Sequence, residues 1–297
     1  MKRALVVEGG AMRGIFSTGV LDGFIDHQHR PFDFCIGVSA GSTNLAAWLA
    51  NQRGRNYKVT TDYSCRPQFI SLRKFLSGGH WLDLDWLWDI SIREIPIDTE
   101  AFASQPVPLY VVATKVASGK AAYIRASAEN LEQVLKASCS VPVAYRYYPI
   151  FEGESMTDGG VADSIPVIRA YDMGARDITV ILSRPRGYRK AAPRAHWLIR
   201  KLLLGTPQLA EAMIHRSDSY NQAIDFIENP PSDCHVRVLA PPDSFAVGRM
   251  TKDQARLNAG YEMGLEAANQ YFHENDVHMT EYIVSRAKPR EKFGLAS

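Results

Sequence analysis

The chain opens with a short apolar run, Ala4–Val7, which Gly9 and Gly10 break. Beyond the break Phe16, Val20 and Phe24, flanked by Leu21 and Ile25, recur at helical spacing. The same order then returns. Phe32–Val38 predicts a second strand, its last residues Cys35–Val38 uninterrupted by charge, and Leu45, Ala46, Trp48 and Leu49 predict a helix after it. Two strand–turn–helix units within the first fifty residues predict parallel strands joined by crossover helices. Leu109–Ala113 and Ile178–Leu182 read as further buried strands, the second preceded by a helix ending near Gly174. No internal repeat and no linker rich in Pro, Gly or Ser divides the pattern, so a single domain over 1–297 is expected.

Composition narrows this picture. A chain of 297 residues buries about three quarters of its unfolded surface and needs no disulfide staple. The four cysteines, Cys35, Cys65, Cys139 and Cys234, form no C-x-x-C pair and no zinc spacing, as expected in a reducing compartment. A formal charge of +2 argues against a nucleic-acid partner. The longest uncharged stretch, Phe34–Gln52, is interrupted by Ser39, Ser42, Thr43, Asn44 and Asn51, and Glu8 ends the first apolar run. Neither a membrane span nor a signal peptide is expected, which points to a cytoplasmic protein.

Two segments stand apart from the repeating pattern. Residues 76–98 hold Trp81, Trp86 and Trp88 among Asp83, Asp85 and Asp89, without a clear period; a lid and ordinary core packing are both open. Residues 178–210 carry seven Lys/Arg and no acid. There Trp197, Leu198, Leu202, Leu203 and Leu204 flank Arg200 and Lys201, as in a basic amphipathic helix for peripheral contact with an anionic membrane; the other reading is core leucines and scattered charges. The tail after Ala287 alternates charge and reads as loose.

Three short motifs can carry chemistry. Gly37-Val38-Ser39-Ala40-Gly41 lies between a strand and a helix, the context in which a sharp turn exposes a serine nucleophile. Read alone, Ser39 serves equally as a helix cap. Gly9-Gly10-Ala11-Met12-Arg13-Gly14 also joins strand to helix, and its unencumbered amides form an anion cradle. Dinucleotide binding would require an acid at the end of the second strand, yet Asp33 starts that strand and Val38-Ser39 ends it. An oxyanion hole beside Ser39 fits better. Asp158-Gly159-Gly160 allows close backbone approach or positive φ and could press a carboxylate against another loop, although Asp-Gly alone is a common turn. Asp163, a rival acid, reads with Ser164 ahead of Pro166 as a helix N-cap.

Taken together and in this order, the motifs resemble those of the patatin-like phospholipases. Tyr110-Val111-Val112-Ala113-Thr114 with Ser118-Gly119 is similar to the family's central strand. Leu135 to Pro142 is similar to the helix and loop ahead of its aspartate, and Asp158–Pro166 with Ala170 and Gly174-Ala175 to the stretch after it. The resemblance covers residues 3–183, leaving 184–297 as a helical and strand extension of the same domain. It implies a three-layer α/β/α fold with a mostly parallel central sheet. It also implies a lipid acyl hydrolase of the phospholipase A or lysophospholipase kind, without metal or cofactor. Ser39 would be the nucleophile, Asp158 the proton acceptor, and Gly9, Gly10 and Ala11 the oxyanion-hole donors. Arg13, Gly14, Gly37, Gly41, Gly159 and Gly160 would support them. Two positions depart from the family's commonest form: Ala11 stands for a third glycine, and Gly160 for an alanine.

Rival readings use the same residues. An acyltransferase would share the acyl-enzyme. A Ser–Asp–His hydrolase could draw on His196, His215 or His235, but only one strand precedes Ser39, and that fold places its oxyanion loop after a third. A lipid-binding protein without activity would have no use for both reacting side chains and the cradle.

Overall fold

The computed structural model describes residues 1–286, with side-chain surroundings through His273; the charged tail lies outside them. Four parallel pairings build the sheet. β1 (Lys2–Val7) pairs with β2 (Phe34–Val38) on one edge and with β7 (Ala175–Ile181) on the other. β2 continues to β3 (Leu109–Lys115), and β7 to β8 (His235–Leu239). β4 (Ala121–Arg125) and β6 (Glu154–Asp158) run antiparallel to β3, and the short β5 (Ile150–Phe151) is antiparallel to β6. The sheet is mixed and mostly parallel. Each expected strand is present, with boundaries shifted by one to three residues.

Alternation along the strands sorts two cores. Leu5 and Val7 face α1 (Ile15–Asp26), α2 (Ala40–Leu49) and α4 (Leu131–Cys139). Ala4 and Val6 face α5 (Val167–Asp172) and α7 (Pro207–Glu228). Helices on both faces leave these strands no wet side, which is why they read as continuous apolar runs. The tryptophan-rich segment forms α3 (Leu84–Glu94), capped by the Asp83 carboxylate, which accepts the Trp86 amide at 3.1 Å. It turns Leu84, Leu87 and Ile90 inward.

Two local expectations change. The basic segment yields only a short helix, α6 (His196–Leu202), which carries two of its seven cations, Arg200 and Lys201. Arg200 bonds Glu211 at 2.8 Å, while Arg189 bonds Asp225 and Glu228 at 2.5 Å each. Leu203 is buried, whereas Trp197, Leu202 and Leu204 are exposed. Asp163 caps no helix, because α5 begins at Val167 with no side-chain cap. Its carboxylate accepts the Ile165 amide and the Tyr123 hydroxyl instead, the latter at 2.7 Å.

A long C-terminal helix, α8 (Gln254–Arg286), crosses α1 and covers that face of the sheet. His29 sits beside this crossing among Phe24, Phe32 and Phe272, its Nε2 buried without a partner. Burial, reinforced by Arg237, Arg3 and His27, pushes its pKa down to about 4. Between pH 6.5 and about 4 the unfolded chain therefore binds a proton at His29 that the folded chain does not. Stability contributed by the neutral ring is lost as pH falls through that window. His29→Phe is expected to flatten the acid side of a melting-temperature profile relative to wild type. Parallel profiles would exclude His29 as a source of acid sensitivity.

Candidate active site

The strand register brings Ser39 and Asp158 together. Val38, the last residue of β2, pairs with Val112, and Asp158, the last of β6, pairs with Ala113. β4 occupies the opposite edge of β3 from Tyr110 to Thr114. A strand has only two edges, so β6 takes over the edge of β3 where β2 leaves it. Ser39 and Asp158 thus end two strands that run head to head along one edge.

The C-terminal end of α4 ties them. The Ser39 amide donates to Ser138 Oγ at 2.8 Å, and that hydroxyl donates to the Val112 carbonyl at 2.6 Å. The Asp158 amide donates to the Ser140 carbonyl at 3.0 Å. Cys139, between these serines, has its thiol pushed up by burial and by the Asp158 charge, while a hydrogen bond with Ser39 opposes the shift. One tripeptide therefore touches both candidate reacting residues. The sequence offered it only as part of a family-like loop.

Ser39 adopts φ 51° and ψ −125°, a conformation costing about 1–3 kcal/mol for a residue with a side chain. Close packing compensates. A Cβ at Gly37 would fall 2.6 Å from Ser42 Cα, and one at Gly41 2.5 Å from the Val7 carbonyl oxygen. The G-x-S-x-G spacing thus presses the turn between its own helix and β1. Ser39 makes no side-chain cap bond, so the helix-cap reading fails.

The cradle packs against this turn. Gly9 lies under Val38 and Ser39, and Gly14 under Ala40. Among the described residues the amides of Gly9, Gly10 and Ala11 have no hydrogen-bond acceptor, while the Met12 amide is taken by the Arg249 carbonyl at 3.4 Å. Gly10 has φ −163°, so its glycine requirement is steric: a Cβ would lie 2.8 Å from Ser183 Oγ. Likewise neither Gly159 nor Gly160 takes positive φ, and a Cβ at Gly159 would overlap the Val112 carbonyl. The Gly160 amide donates to Asp158 Oδ1 at 2.9 Å and orients that carboxylate.

Ala11 is the strained member, at φ 50°. A non-glycine residue there costs about 1–2 kcal/mol, against about 0.5–1 kcal/mol of extra chain entropy for glycine. Ala11→Gly is expected to raise stability by about 0.5–1 kcal/mol in urea unfolding. A loss of stability would mean that the alanine methyl contributes packing the backbone strain does not outweigh.

Arg13 is buried against Ser183. It is 3% exposed, and its Nη2 donates to Ser183 Oγ at 3.0 Å. Glu8 is 3.9 Å away, and burial pushes the guanidinium pKa down to about 10.

A cavity of about 140 Å³ opens from Ser39 and Ala11. Apolar side chains line most of it, among them Leu82, Leu87 and Trp88 from the tryptophan-rich segment and Leu135 from α4. That segment is therefore a cavity wall, which its irregular spacing did not reveal. His196, His215 and His235 are exposed and line no part of this cavity; His215 pairs with Asp218 and His235 with Asp177. Among the described residues no three His, Cys, Asp or Glu converge on a metal position, and no helix is long and apolar enough to cross a membrane.

A strained serine turn, a glycine-rich loop and an aspartate thus meet at one end of the sheet. Residues 5–171 match the family model for Patatin-like phospholipase, more than half of the chain, and the protein belongs to that family. Residues 206–276 match a second model, described as Domain of unknown function (DUF6363). Among curated proteins, "Uncharacterized protein YjjU" of Escherichia coli (strain K12) is 32% identical over 276 residues, covering 91% of this chain and 76% of that one. Among solved structures, VipD from Legionella pneumophila aligns with a TM-score of 0.40 at 13% identity, over 91% of this chain and 67% of that one.

Proposed function

We propose that the protein hydrolyses carboxylic esters of lipids through a Ser39 acyl-enzyme. The observation carrying this reading is the shared edge of β3, where Val38–Val112 and Asp158–Ala113 pair in succession. Ser39 Oγ attacks the ester carbonyl as its proton passes to the Asp158 carboxylate. The tetrahedral oxyanion is held by the amides of Gly9, Gly10 and Ala11, each such donor being worth about 100- to 1,000-fold in rate. Collapse expels the alcohol, which takes the proton from Asp158. Water then attacks the acyl-enzyme, giving its proton to Asp158, and Ser39 recovers that proton as the acid leaves. A carboxylate is a weak base for a hydroxyl, so the cradle carries much of the barrier reduction.

The apolar cavity receives the acyl chain. The exposed Trp197, Leu202 and Leu204 offer an apolar edge for peripheral membrane contact, with Arg194 and Lys201 as nearby cations not paired among the described residues. The whole of 1–297 acts as one domain in this reading, since α7 and α8 complete the two faces of the sheet. Intact mass after treatment with a fluorophosphonate, alongside consumption of a phospholipid panel, tests the proposal. A Ser39 adduct with loss of an ester-linked chain is expected. An adduct elsewhere, or no lipid consumed, would refute it.

A further inference from the structure

Five basic side chains gather beside the cradle: Arg13 after β1, Arg184 and Lys190 after β7, Arg216 on α7, and Arg249 ahead of α8. They are close enough to act on one another. Lys190 is repelled by Arg216, Arg249 and Arg13, and Arg13 by Arg249 and Arg184. The acids within reach are Glu8 and Asp158; Glu8 accepts the Ser183 amide through Oε2 at 2.6 Å and stands 3.9 Å from Arg13 through Oε1, which leaves five basic groups to two carboxylates. Several cations elsewhere are paired with acids, as at Arg189, Arg176 and Arg53. Here the side chains of Lys190, Arg216 and Arg249 have neither a hydrogen bond nor an ion pair among the described residues. Lys190 Nζ has only the Tyr220 ring, 4.2 Å away, and Arg184 only the Tyr188 ring, 4.7 Å away. Arg13 Nη1, Arg216 Nε and the Tyr220 hydroxyl are buried and unpartnered in the same place.

Clustered cations with too few counter-ions, most of them partly or fully buried, are costly to assemble, and an anion with several oxygens relieves them together. We propose that this cluster binds a phosphate-class oxyanion directly beside the reacting residues. Its position follows from two contacts. Arg249 lines the same cavity as Ser39. A Cβ at Gly160 would lie 2.9 Å from Asp158 Oδ1 and 3.0 Å from Arg216 Nη2, so both groups crowd that point. Gly160 leaves the room that Arg216 occupies. Arg216 and Arg249 both come from the 206–276 stretch, which gives that region of unknown function a task at the patatin site.

Protonation follows from the same placement. Burial, with Arg216, Arg249 and Arg13 against Glu8, pushes the Lys190 pKa down to about 6. Lys190 also faces Tyr220. An oxyanion would pull the amine back to ammonium, so binding at pH 7.5 takes up a proton.

The anion has two sources of the same chemistry, the phosphate of an ester substrate's headgroup and free inorganic phosphate. The first rests on the proposed lipid hydrolysis; the second does not. The test titrates the full chain with sodium phosphate against sodium chloride at equal ionic strength. Melting temperature and calorimetry in two buffers of different ionisation enthalpy are followed. A saturable rise in melting temperature with phosphate alone is expected, with proton uptake and about tenfold weaker binding in Arg249→Gln and in Lys190→Met. Arg249 is exposed, so its replacement leaves folding out of question. No phosphate-specific effect, or undiminished binding in both variants, overturns the proposal. Hydrolysis of dihexanoyl phosphatidate and of dihexanoylglycerol then separates the sources. If Arg249→Gln lowers kcat/KM about tenfold more for the phosphatidate, the headgroup is the ligand. An unchanged ratio with phosphate binding intact assigns the site to free phosphate. If neither ester is hydrolysed while phosphate still binds, the proposed function fails and the anion site stands.

Discussion

Replacing Ser39 by alanine is expected to lower ester turnover at least about 1,000-fold, a barrier increase of about 4 kcal/mol, without unfolding the protein. The substitution removes one hydroxyl and leaves the backbone N–H of residue 39 donating to Ser138 Oγ. Asp158→Asn is expected to match it within about tenfold. Asparagine keeps a carbonyl oxygen to accept the Gly160 amide, as Asp158 Oδ1 does, but it cannot take the serine proton. Groups that act as one proton-transfer unit are not additive, so the double variant should be no slower than the worse single one. Turnover of p-nitrophenyl butyrate and fluorophosphonate labelling measure both effects, with circular dichroism to verify folding. Near-normal kcat in Asp158→Asn would remove the aspartate from the mechanism. Loss of activity in His196→Ala, His215→Ala or His235→Ala as complete as in Ser39→Ala would put a histidine in its place.

Gly264→Ala is expected to destabilise the fold by about 3 kcal/mol or more, although alanine is about 1 kcal/mol the better helix former. A methyl group there would overlap the Phe16 carbonyl and lie 2.9 Å from Gly19 Cα, so α1 and α8 could not stay in contact. The obstacle is backbone and cannot rotate aside. The Tyr261 hydroxyl bond to Asp22 at 2.8 Å, one turn away, would be strained with it. At about 2–4 °C per kcal/mol for a large domain, calorimetry should show a melting temperature on the order of 10 °C lower. Gly205→Ala is the control, because nothing lies within 4 Å of its new methyl. Equal melting temperatures for the two variants would mean that the helix crossing contributes little to stability.

Much of the fold was written in local pattern. Buried parallel strands need continuous apolar residues, and Ala4–Val7, Cys35–Val38 and Ile178–Ile181 supply them, so those strands were legible within a few residues. The serine turn and the cradle were legible too, because a close approach of backbones admits only small residues. The family followed from the order of these motifs.

What the sequence could not determine depends on partners far away along the chain. That β6 replaces β2 on one edge of β3, and so brings Asp158 to Ser39, is a matter of how two strands distant in the chain both register on a third. Ala11 at φ 50° is contrary to its own preference and is imposed by the loop around it. The motif puts Arg13 beside the cradle, but only the residues after β7 decide that its guanidinium meets Ser183. The charge run at 178–210 divided because α7 supplied acids to Arg189 and Arg200 but none to Lys190. Composition counts charges and spacing places small residues, but only tertiary packing decides which cations find a carboxylate and which are left facing the site.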